Sequence, residues 1–145
     1  MAEKVGAFEL HPQLARDCIV LGDFALCRVL LMNDSNYPWI ILVPRRANVR
    51  ELHELQEAEL GMFWRESMLL GRMLMSHFRG HKLNVAALGN QVPQLHVHHI
   101  VRYEHDRAWP KPVWGVAPTL AYTEMQLQEV RDSLLPLLVD LGMEA

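Results

Sequence analysis

The chain has 145 residues, half of them apolar and about a fifth charged, which is the size and balance of one globular domain able to close its core without disulfides or metal. A formal charge of −3 gives no basic footprint for DNA or RNA and argues against nucleic acid as a partner, whereas a small phosphorylated ligand needs only local donors. No window approaches the roughly 18 consecutive apolar residues of a membrane span, residues 1–7 lack the basic-then-apolar build of a signal peptide, and Cys18 and Cys27 fall in apolar runs as buried thiols, so the expectation is a cytoplasmic protein.

In chain order, His11-Pro12 breaks the opening segment and residues 13–16 read as a short helical turn. Residues 18–21 and 25–31 are aliphatic and β-branched, with Gly22-Asp23 as turn chemistry between them, which predicts a hairpin. Asn33-Asp34-Ser35-Asn36-Tyr37-Pro38 is a polar loop. Trp39-Ile40-Ile41-Leu42-Val43 follows as a nearly continuous apolar strand stopped by Pro44, and a run without alternation predicts a strand covered on both faces.

After Arg45-Arg46 the period changes. Leu52, Leu55, Leu60, Phe63, Leu70, Leu74 and Phe78 recur at helical spacing, predicting a long amphipathic helix up to Gly80. Two starts are compatible with the residues: Asn48 with Glu51 as a capping box, or Gln56 followed by Glu57 and Glu59 in the first turn. Met62, Met68, Met73 and Met75 read as core filler, and His53 and His77 as solvated helix residues.

Residues 82–88 are a fourth strand, 89–93 a short turn and 94–102 a fifth strand, so the last two are antiparallel neighbours. The segment 103–118 is too rich in proline for regular structure and too aromatic for a linker, and should pack against something. Thr123 with Gln126 forms a second capping box, opening a helix with Val130, Leu134, Leu137, Leu138 and Leu141 as its stripe. Pro136 predicts a kink or restart within it. No repeat or boundary divides residues 1–145, and the whole is an α+β plan: a five-stranded antiparallel sheet with one long helix and a C-terminal helix.

The chemistry concentrates in the fifth strand. Extended backbone puts Gln94, His96, His98 and Ile100 on one face and Leu95, Val97 and Val101 on the other, with His99 among the apolar positions. Two imidazoles and a carboxamide thus share a row. Histidines merely satisfied by neighbours are the plain alternative, and a metal site is another, since H-x-H on a strand also serves zinc and iron. A metal centre normally takes three or four protein ligands; His99 faces the wrong way, and His105-Asp106 would have to fold back across the strand end. The reading adopted has no metal and no cofactor.

This stretch resembles the signature of the histidine triad (HIT) family of nucleotide hydrolases and transferases, in which histidines alternate with apolar residues. The likeness extends over about residues 17–102: an apolar strand ending in Leu42-Val43-Pro44-Arg45-Arg46, a Leu-rich helix, a strand containing Asn84, a Gly-containing turn and the signature strand. With Val92 and Arg102 as the flanking marks, Gln94 stands at the first histidine position, His96 at the second and His98 at the third. A register with His98 in the middle and Ile100 third misplaces both marks. Trp39-Ile40-Ile41 occupies the place where the family usually carries a further histidine.

The resemblance implies a HIT-like fold, His96 as nucleophile toward a nucleotide α-phosphate, His98 beside the phosphate, Gln94 in the place of an imidazole, a nucleotide substrate and a homodimer. A neutral imidazole can attack phosphorus through its free ring nitrogen, forming a phosphoramidate that water later cleaves. Asn90, Gln91 and backbone amides near Gly89 are candidate phosphate donors. Asn33 resembles a ribose or phosphate contact, with a turn asparagine bonding its own backbone as the alternative. Asn84 is a candidate ligand contact; Arg102 is a candidate balance for substrate charge, or else a solvated arginine. Trp109 and Trp114 cover the nucleotide pocket, dock on a second subunit or pack in the core. The rival to an enzyme is a nucleotide-binding module of the same descent without turnover.

Overall fold

The computed structural model describes residues 8–145; the stretch inspected for a signal peptide, residues 1–7, lies outside the described residues. A short helix α1 (Pro12–Asp17) leads into β1 (Cys18–Asp23), β2 (Cys27–Met32) and β3 (Trp39–Pro44). A single 3-10 turn at Leu52–Glu54 precedes the long helix α2 (Glu57–Phe78). Then come β4 (Lys82–Ala86), β5 (Val97–Arg102) and the C-terminal helix α3 (Glu124–Asp140). The five strands form one sheet in the order β1-β2-β3-β5-β4, each pair antiparallel.

β3 lies in the centre with every residue buried, as its unbroken apolar run requires when both faces are covered. Ile40 and Leu42 on one face join Val97 and Val101 of β5, Phe63, Leu70 and Leu74 of α2, and Leu134 and Leu138 of α3. Each fully buried side chain of this kind contributes about 2 kcal/mol. On the opposite face Trp39, Ile41 and Ile100 meet Leu14 of α1 and Ala108 and Val113 of the segment after β5. The sheet is therefore the middle of three layers, and the proline- and tryptophan-rich tail supplies part of the third.

α2 begins at the second of its two possible starts. Gln56 caps it in a reciprocal box with Glu59, while Asn48 takes a left-handed conformation at φ 60° and Glu51 instead boxes with Glu54 around the 3-10 turn. Arg79, left-handed at φ 52°, ends the helix. α3 is capped by Thr123 and Gln126 and runs through Pro136 without a restart.

Two boundaries differ from the sequence reading. β1 continues through Gly22 and Asp23, and the reversal falls at residues 24–26. The glycine serves a close approach instead of a turn: Asp23 and Glu144 exchange two backbone hydrogen bonds of 2.8 Å, and a Cβ on Gly22 would lie 2.3 Å from the Glu144 carbonyl oxygen. The other difference is the β4–β5 connection, which covers residues 87–96 and not only 89–93. Leu95 donates its amide to the Val49 carbonyl at 2.9 Å, so residues 94–96 leave the β4–β5 ladder to bond the chain after β3.

Candidate active site

His96 immediately precedes β5 and His98 lies within it, directly opposite Ile41 of β3. Their rings stand edge to face, with centroids 5.0 Å apart. Nδ1 of His96 is 2.7 Å from the carbonyl oxygen of Gln94. A carbonyl only accepts, so Nδ1 carries the proton and Nε2 presents a bare lone pair. For His98 the logic inverts. Its Nδ1 lies 3.0 Å from Nε1 of Trp39, and an indole only donates, so Nδ1 is the acceptor and the proton sits on Nε2. Two fixed tautomers of opposite sense thus stand side by side.

Both rings are held neutral. Burial lowers the pKa of His96 below its ordinary value, the Gln94 carbonyl opposing and His11 adding to the effect. Burial, helped by the neighbouring imidazoles of His96 and His99, brings His98 down to about 3. Trp114 packs edge-on to both His98 and Trp39, at centroid distances of 5.0 and 5.8 Å. Trp39 is thus the residue that orients His98, from the strand position where the resemblance leads one to expect another histidine.

A cleft of about 340 Å³ opens over this pair. Gly89, Asn90 and Gln91 of the β4–β5 connection line it on one side; Leu14, Asp17 and Cys18 do so from α1 and the start of β1. Among the described residues, neither lysine nor arginine lines it. His96, His98, Asn90 and Gln91 are accordingly brought together.

The other candidates point elsewhere. The carboxamide of Gln94 accepts from the His11 amide at 2.9 Å and donates to the Glu9 carbonyl at 2.8 Å, clamping the N-terminal segment instead of lining the cleft. Asn33 accepts from the Tyr122 amide at 3.0 Å, which ties the approach to α3. Arg102 is neither solvated nor in the cleft. It is 1% exposed, forks onto Asp106 at 2.8 and 3.1 Å, and donates to Asn84 Oδ1 at 2.9 Å and the Lys111 carbonyl at 2.8 Å. Asn84 is thereby engaged with it. Both residues fix the tail against the strand end, so a charge-balancing role for Arg102 has no geometric support. Trp109 lies against the Arg102 guanidinium, while Trp114 forms a wall of the cleft.

His99 lies on the opposite face of β5, fully buried, with Nε2 2.7 Å from Ser67 Oγ of α2 and Nδ1 3.1 Å from the Val97 carbonyl. Burial brings its pKa down to about 4, partly offset by the backbone bonds. Among the described residues, no group of three or more His, Cys, Asp or Glu is placed to hold a metal ion, and no helix is long and apolar enough to cross a membrane.

Trp39, Leu14 and Asp17 were not candidates from sequence, whereas Trp114 was weighed there as a cover of the pocket. A tryptophan heading an apolar strand was the one available sign for Trp39; Leu14 and Asp17 reach the cleft only through the packing of α1.

An antiparallel five-stranded sheet backed by one long helix, with paired imidazoles beside its centre, defines the histidine triad class of α+β proteins. The chain belongs to the HIT domain family, whose model matches residues 13–105. It is similar to a histidine triad protein from Marinobacter aquaeolei, 52% identical over 93% of this chain and 98% of that one, TM-score 0.91. A histidine triad protein from Bradyrhizobium japonicum is 44% identical over 88% and 96% of the two chains, TM-score 0.86. One from Sinorhizobium meliloti is 39% identical over 91% and 98%, TM-score 0.87. No functionally curated protein matches the chain. At the level of the family, membership supports a nucleotide ligand and hydrolase or transferase chemistry.

Proposed function

We propose that the protein is a nucleotide hydrolase or transferase acting on a nucleoside phosphate, phosphoramidate or dinucleoside polyphosphate through a covalent nucleotidyl-His96 intermediate. The observation that carries this reading is the pair of opposed tautomers, a lone pair on His96 Nε2 beside a donor on His98 Nε2. His96 Nε2 attacks the α-phosphorus. A nitrogen–phosphorus bond forms as the bond to the leaving group breaks, and the leaving group departs with the electron pair and takes its proton from solvent. His98 donates to a nonbridging oxygen, with Asn90 and Gln91 at the rim as further donors. Water then attacks phosphorus, the electron pair returns to Nε2, and a proton is released. Neutrality of both rings suits these roles: His96 needs no prior deprotonation, and His98 keeps a fixed donor at every pH above its depressed pKa.

The test is release of mononucleotide from adenosine phosphoramidate and from dinucleoside polyphosphates by the parent and by His96→Ala. Turnover in the parent alone, with a nucleotide adduct on His96 detected by mass spectrometry, is the expected outcome. Product at equal rates from both proteins overturns the proposal. A nucleotide-binding module without turnover is the second reading. It is favoured by the commitment of Gln94 to the N-terminal segment and by a cleft lining without lysine or arginine among the described residues; binding without product from either protein is its signature. A homodimer, expected from the family, and a cytoplasmic location, expected from the sequence, belong to the proposal, the first to be checked by sedimentation.

A further inference from the structure

Trp39 pairs with Ile100 and His98 with Ile41, so the indole and the imidazole are diagonal neighbours on one face of the sheet. Both are buried, and Tyr37 and Trp114 hold the indole edge to face at centroid distances of 6.3 and 5.8 Å. Its N–H donates to His98 Nδ1 at 3.0 Å, which settles more than the orientation of the ring. A proton added to Nδ1 would meet the indole hydrogen head-on. Loss of the Nε2 proton would leave a buried imidazolate anion. His98 can therefore donate a hydrogen bond but cannot hand over a proton.

The groups around it do not take over that task. His96 commits its Nδ1 proton to the Gln94 carbonyl, and His99 is bonded to Ser67 on the far face of β5. His11, whose charge bears on His96, lines the neighbouring groove with Gln94 instead of the cleft. From α1 and the start of β1, Asp17 accepts from Gln13 at both carboxylate oxygens, and burial pushes the Cys18 thiol up to about 12, so it keeps its proton. The β4–β5 connection brings the neutral Asn90 and Gln91, and the tail brings Trp114. Among the described residues, none that lines the cleft is set to protonate a departing atom.

We infer that Trp39 is a positioning residue that withdraws His98 from proton transfer, so that the cleft selects nucleotides whose leaving group departs as a stable anion. The substrate class this defines is a mixed anhydride of the α-phosphate with a second phosphoryl or comparably acidic group. The inference rests on the nucleotidyl-transfer reading of this cleft. The bond from His96 Nε2 to phosphorus forms as the anhydride phosphorus–oxygen bond breaks, and the electron pair leaves on that oxygen, which needs no proton. An amine or an alkoxide leaves readily only when a positioned acid supplies one, an effect of about 10²–10⁴ in rate that is missing here.

Aryl esters of adenosine 5′-monophosphate vary the leaving group alone. The full-length parent should release 4-nitrophenol at least about 100-fold faster than the less acidic phenol, with a ratio that stays constant between about pH 5 and 7, since protonation of His96 affects both esters equally. Trp39→Phe keeps an aromatic ring in place but frees Nδ1 to take a proton. Its ratio should narrow by about tenfold toward pH 5, which lost packing alone would not bring about. Nitrogen-15 spectra of the imidazoles in the parent, assigned with His98→Gln, should show Nε2 of His98 protonated and Nδ1 bare over the same range, whether or not the Trp39 variant folds. A doubly protonated His98, similar release of both phenols by the parent, or an unchanged ratio in Trp39→Phe overturns the inference and leaves nucleotidyl transfer standing. Release of neither phenol by the parent overturns both.

Discussion

Replacing Arg102 by Met should unfold the tail from the sheet. The Arg102 side chain is 2% exposed and the Asp106 side chain 3%, so the substitution strands a carboxylate with only the amides of Tyr103, Ala108 and Trp109 to satisfy it. Breaking a buried pair in this way costs about 3–5 kcal/mol, roughly 10 °C in melting temperature for a chain of this length. The acid limb carries a second signature. Burial by itself raises the Asp106 pKa, but the Arg102 fork and the backbone amides prevail and hold it at about 2, against 3.8 ordinarily. A depressed folded pKa contributes stability that is present above the unfolded value and lost as pH falls through the folded one, here about 2 kcal/mol. The deficit of Arg102→Met should therefore be largest near neutrality and shrink below pH 4. Urea unfolding across that range measures it. An unchanged midpoint with a raised KM for nucleotide would refute this account and return Arg102 to the substrate.

Parent stability should also fall as pH drops below 6.5, because His98 and His99 protonate in the unfolded chain well before their folded values of about 3 and 4 are reached; each costs about 1.4 kcal/mol per pH unit. His99→Gln should remove one such contribution from the slope of urea midpoints between pH 4 and 6 while leaving turnover nearly intact, and an unaltered slope would contradict the assignment. Gln94→Ala should loosen α1 by about 1–2 kcal/mol, speed hydrogen exchange at Ala15, whose amide bonds the His11 carbonyl, and raise KM more than it lowers kcat. A fall in kcat with exchange unchanged would instead bring Gln94 against the substrate.

What the sequence disclosed and what it withheld divide along contact range. Alternation in β5 separated His96 and His98 from His99 because a strand has period two, and the continuous run of β3 announced its burial on both faces. The helix caps at Gln56 and Thr123 were local signals as well. Gly22 was misread because its constraint comes from Glu144, far along the chain, and β5 begins later than its pattern suggests because Leu95 answers to Val49. Arg102, Asn84 and Asn33 have residue types suited to a phosphate site, but their partners are tail and loop groups that only packing brings near. Asp17 carried no mark at all; its relevance arises from where α1 lands. The Trp39–His98 bond belongs to the same class, since it joins two strands whose adjacency no local pattern encodes.

That bond also gives the protein a built-in optical reporter. Trp39 and Trp114 flank the His98 imidazole, whereas Trp64 lies on α2, away from the cleft. Indole emission depends on the polarity and protonation of what surrounds the ring, so occupancy of the cleft should register in intrinsic fluorescence without any label. In a Trp64→Phe background that signal would be read against less unrelated light, turning a wall of the site into its own titration dye.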